Sequence, residues 1–93
     1  MEPGEAETLA LQALAWIAGE DERLLTRFMD ATGARPGDLT GLAGEPVFLG
    51  AVLDFLLSEE SQARRFASDR GMTAETLHAA RAALPGGASP HWT

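Results

Sequence analysis

Pro46-Val47-Phe48-Leu49-Gly50-Ala51-Val52-Leu53-Asp54-Phe55-Leu56-Leu57 is the stretch on which the reading of this chain turns. Val47, Phe48, Ala51, Val52, Phe55 and Leu56 recur at spacings of three and four, which is the stripe of a buried helix face, and Leu49 and Leu53 widen it. Pro46 fits the first helical position, where its missing N–H has no partner to lose. The spacing therefore predicts a helix over 46–57 that lies at the centre of the core. Asp54 is the only charge between Glu45 and Glu59. It has two readings: a buried aspartate paired with an arginine, or, with Gly50, Ser58 and Ser61, a mark of the helix's narrow solvent stripe.

Working outward, the same periodicity with glycine and proline stops predicts five or six short helices and no strand. A first helix over about 5–18 puts Leu9, Ala10, Ala13, Trp16 and Ile17 on one face and Leu11, Leu14 and Ala18 on a neighbouring one, so it too is central. Gly19 is expected to end it in the left-handed conformation. A second, over 21–32, buries Leu24, Leu25, Phe28 and Met29 and stops at Gly33. A short helix around 38–43 contributes Leu39 and Leu42. After 46–57, Ser58 is expected to cap a one-sided helix that buries Ala63, Phe66 and Ala67, carries Arg64, Arg65 and Arg70 outward and closes at Gly71. Thr73 then caps the last helix, with Met72 stapled on Leu77, and Leu77, Ala80 and Leu84 facing inward.

Ninety-three residues are the size of one small domain, and the fold class is all-α: a compact bundle over 1–93 whose Pro/Gly-rich tail, 85–93, packs back on it. Trp92 is the tail's anomaly, because no local helix offers it a seat. It either plugs a groove between helices or serves as a short partner-binding peptide.

Composition removes many chemistries. All the basic residues are arginine, seven against fourteen acids, and Lys, Cys, Tyr and Asn are absent. That leaves no Schiff-base or P-loop lysine, no thiolate nucleophile and no cysteine-held zinc or iron–sulfur cluster. Glu75 and His78 have the spacing that supplies half of a carboxylate-bridged di-metal site, but no second pair exists. No Gly-x-Ser-x-Gly elbow is present. No catalytic residue, cofactor or metal ligand is therefore expected.

Charge argues similarly about partners. Residues 1–46 hold nine acids and three arginines and residues 47–93 five acids and four arginines, so neither half carries a basic footprint for nucleic acid. The longest charge-free stretch in the helical part, Thr8 to Gly19, falls short of a membrane span, and the acidic start is unlike a targeting peptide. A cytoplasmic location is the expectation, which a cysteine-free chain permits.

Three blocks of the chain are similar to a family of small, uncharacterised bacterial proteins known as domain-of-unknown-function family 3572. They are Ala6-Glu7-Thr8-Leu9-Ala10-Leu11-Gln12-Ala13-Leu14-Ala15-Trp16, Phe48-Leu49-Gly50-Ala51-Val52-Leu53-Asp54-Phe55-Leu56, and Arg81-Ala82-Ala83-Leu84-Pro85-Gly86-Gly87 followed by His91-Trp92-Thr93. The resemblance implies a bacterial cytoplasmic protein whose tail belongs to the domain. It implies no activity and no site residues.

By subtraction, the expected function is that of a small acidic, non-catalytic protein-interaction module, a regulator or adaptor with a protein partner or a second copy of itself. Arg64, Arg65, Arg70 and Trp92 are the interaction candidates. The alternative is a cytosolic enzyme or small-ligand binder with a cleft lined by Trp16, Asp54 and His78.

Overall fold

A computed structural model describes residues 1–85 of the chain. Six helices follow one another: α1 (Pro3–Glu20), α2 (Glu22–Thr32), α3 (Leu39–Leu42, entered through a 3-10 turn at Pro36–Asp38), α4 (Pro46–Leu57), α5 (Glu60–Asp69) and α6 (Ala74–Ala82). No strand occurs among the described residues. The tail, and Trp92 with it, lies outside them.

The two helices with the widest apolar faces form the central pair. α1 packs on α4, and each also meets α2 and α6, while α5 closes on α4 and α6. Ile17, Phe28, Val52, Leu53, Leu56, Phe66 and Leu77 are the largest fully buried side chains, and they come from five of the helices into one contiguous core. Aromatic edges key the helices together. The Phe28 ring meets Phe48 and Phe55 edge to face at centroid distances of 5.9 and 5.3 Å, and Trp16 meets Phe66 in the same way at 5.6 Å.

Local chemistry explains most boundaries. Gly33 and Gly71 adopt φ of 75° and 68°, the left-handed stop that glycine reaches without a Cβ penalty. Thr73 accepts a hydrogen bond from the Thr76 N–H, and Met72 sits half-buried against the core before it.

Two expectations about boundaries are corrected. Gly19 lies inside α1, which runs on to Glu20, and the break falls at Asp21. Asp21 is extended, and its carboxylate accepts from the Leu24 N–H at 2.7 Å, so the residue able to cap α2 is the one that ends α1. Ser58 likewise closes α4 instead of capping α5: its hydroxyl donates back to the Phe55 carbonyl at 2.6 Å, and the extended residue before α5 is Glu59. The interior of α5 is also less apolar than its pattern. Gln62 is buried beside Ala63, Phe66 and Ala67, and its Nε2 donates to the carbonyls of Phe55 and Leu56 at 2.7 and 3.2 Å. Both carbonyls lie in the last turn of α4, where the helix runs out of N–H groups, and that of Phe55 also accepts from the Ser58 N–H at 3.2 Å and from the Ser58 hydroxyl.

Candidate functional site

α4 positions the site. On a helix of 3.6 residues per turn, Val47, Ala51, Asp54 and Ser58 follow one outward line, with Gly50 on the side toward α6 and Phe48 and Phe55 on the side toward α2. The two sides are finished differently.

Toward α6, the edge is closed by Arg81. Its Nε and Nη2 donate to the two carboxylate oxygens of Asp54 at 2.5 and 2.9 Å, a side-on fork, and its Nη1 reaches the carbonyls of Leu84 and Pro85 at 3.5 and 3.3 Å. The Arg81 side chain is 12% exposed whereas that of Asp54 is 60% exposed. Asp54 therefore has the arginine partner of one expectation and the solvent exposure of the other, because the arginine stem carries the burial. Gly50 departs from the solvent stripe foreseen for it. It is buried under the guanidinium, and a Cβ there would stand 2.7 Å from Arg81 Nη1 and 3.0 Å from the Pro85 carbonyl. The latch joins two of the blocks that carry the family resemblance.

Toward α2, the edge is open. A depression of about 600 Å³ lies there, floored by Phe48, Ala51 and Phe55, walled by Val47 and rimmed by Glu45 and Asp54. It adjoins a second hollow of about 430 Å³, which shares Thr32, Glu45 and Phe48 and runs past Gly33 and Leu42 to Asp38. Val47, expected in the buried stripe of this helix, is instead 66% exposed, the most exposed of the large hydrophobic side chains among the described residues, because neither α2 nor the α3 connection covers the start of α4. The hydroxyls lining this trough are already engaged, Thr32 donating to the Phe28 carbonyl at 2.9 Å and Ser58 to that of Phe55. What the trough offers chemically is apolar contact and carboxylate oxygens.

The interaction candidates Arg64 and Arg65 on α5 and Arg70 at its end do not gather into one patch. Arg64 and Arg65 project about 100° apart. Arg64 pairs with Glu60 one turn back at 3.0 Å. Arg65 pairs with Glu20 at 2.8 Å and lies 5.3 Å from the Trp16 ring centroid, and Arg70 sits 5.8 Å from that of Phe66. Each thus covers a core aromatic or a neighbouring acid. Trp16, Asp54 and His78 are not brought together either. The Trp16 indole N–H donates to Asp69 at 2.8 Å, Asp54 holds Arg81, and His78 lines a separate hollow with Leu57, Ala63 and Arg64. Among the described residues, no three His, Asp or Glu side chains form a group able to hold a metal ion, and no single helix is long and apolar enough to cross a membrane.

Neither Arg81 nor the trough is marked by the sequence pattern. Gly50, inside an otherwise apolar helix, is the available signal, since such a glycine often marks a close approach.

No curated protein and no solved structure matches the chain. A family model does, over residues 3–87, from the first residue of α1 through the latch at Pro85. The chain belongs to the family described as protein of unknown function DUF3572.

Proposed function

We propose that this chain is a small acidic, non-catalytic protein-interaction module, a regulator or adaptor of the bacterial cytoplasm, and that it docks through the trough between α2 and α4. The observation that carries the reading is Val47: a large apolar side chain standing mostly in solvent beside a floor of Phe48, Ala51 and Phe55. An apolar concavity with a polar rim is the usual form of a docking surface. The net charge of −7 acts on which partners approach and how fast.

The test compares affinity capture from host extract by the natural chain and by Val47→Asp, with sedimentation of both. The expected result is a partner, or a dimer, that the natural chain retains and the variant loses. Identical recoveries and identical sedimentation would refute the proposal.

A further inference from the structure

We propose that the trough receives a basic amphipathic segment of a partner protein, its apolar side chains resting on Phe48, Ala51 and Phe55 and its cationic groups meeting Glu45 and Asp54. This rests on the docking reading above and adds the chemistry of the occupant.

Charge complementarity carries it. The charged residues lining the trough and its extension are Glu45, Asp54 and Asp38, all carboxylates, and no arginine lines either hollow. The nearby cations are spent elsewhere. Arg81 holds Asp54 from the α6 side, Arg35 holds Asp38 at 3.5 Å, and Arg27, 5.9 Å from the Phe55 ring centroid, is paired with Glu59. Asp54 still has acceptor capacity to offer. Each of its oxygens takes one bond from Arg81, a carboxylate has about four lone-pair sites, and the side chain is exposed. Glu45 stands where the two hollows meet and makes no ion pair among the described residues. An occupant must therefore be apolar on one side and is favoured by positive charge at the margin, which is how an amphipathic segment is read in a groove. A second copy of the chain would bring another acidic body to an acidic rim, a repulsive pairing.

The experiment is an NMR titration of the full chain with three synthetic peptides that share one leucine and phenylalanine pattern and carry Arg, Gln or Glu at the polar positions. The arginine peptide is expected to bind about tenfold tighter than the glutamine peptide at low salt, and this advantage should shrink to about twofold at high salt. Its shift changes should fall on Thr32, Val47 and Ala51. Glu45→Gln should weaken the arginine peptide about two- to fivefold and leave the glutamine peptide unchanged. Val47→Ser, which removes the apolar contact and adds no charge, should weaken both.

Equal affinity of the arginine and glutamine peptides at the trough overturns the inference while leaving the docking surface standing. Arginine-peptide binding that ignores Val47→Ser places the contact elsewhere and overturns it. So does silence of all three peptides, in which case the docking surface stands or falls on the capture experiment alone. Concentration-dependent shifts at the trough without peptide identify a second copy as occupant and likewise overturn the basic-segment proposal.

Discussion

The two edges of α4 differ in what covers them, and the difference separates holding the fold together from holding something else. On the α6 side, the guanidinium of Arg81, 27 residues on from its partner Asp54, lies across Gly50, and Nε, Nη1 and Nη2 all find an oxygen. On the α2 side, Val47 and Ala51 border a depression that no other helix fills. Changes at the closed edge should cost stability and changes at the open edge should cost binding.

The largest effect is expected beneath the floor of the open edge. Phe28 is fully buried and stacks on both Phe48 and Phe55, so Phe28→Ala should lose about 3–5 kcal/mol in denaturant unfolding. A loss under about 1 kcal/mol would mean that the trough floor does not need this ring. Next comes the closed edge itself. Gly50→Val would drive its Cβ into Arg81 and the Pro85 carbonyl and should cost about 1–3 kcal/mol, or very roughly 10 °C in melting temperature. An unchanged melting curve would show that the latch yields freely.

Gln62→Ala is expected to cost about 1–2 kcal/mol, because the carbonyl of Leu56 loses a buried donor and that of Phe55 is left with the donors of Ser58. Asp54→Asn should cost less, about 0.5–1 kcal/mol, since the carboxylate is mostly in water even though its partner is not. At the open edge, Val47→Asp should shift stability by no more than about 0.5 kcal/mol, as befits a side chain with little to lose. Thermal or urea unfolding measures each of these.

Elements whose signals are local were legible in the sequence. The helix over 46–57 has the bounds that its Pro46 start and apolar stripe indicate, and α6 begins at the Thr73 cap. Gly33 and Gly71 stop their helices as their positions in the pattern imply. Where two neighbouring residues competed for a boundary, the winner depended on what its side chain could reach. Asp21 caps and Gly19 has nothing to do; Ser58 bonds backward and leaves Glu59 as the turn. Gln62 was illegible because its partners are carbonyls at the end of another helix.

The candidate site was legible only in part, and for a related reason. Asp54 drew attention as a lone charge, yet its partner Arg81 lies 27 residues on, at a distance no helical period encodes. The arginines at α5 were visible as charges, and Arg70 lies over Phe66 one turn back, but the placement of Arg65 over Trp16 depends on how α5 lies against α1. The trough is a property of what α2, α4 and the α3 connection leave uncovered, and sequence periodicity reports which faces are apolar without saying which will lack a neighbour.

The open edge can be probed directly because the chain contains no cysteine. A single Cys introduced as Val47→Cys, and as a control Ala79→Cys on the exposed side of α6, can be labelled with a maleimide in buffer and in host extract. Docking at the trough predicts fast labelling of both in buffer and a loss of reactivity in extract at position 47 alone. Equal labelling of the two positions in extract would contradict it.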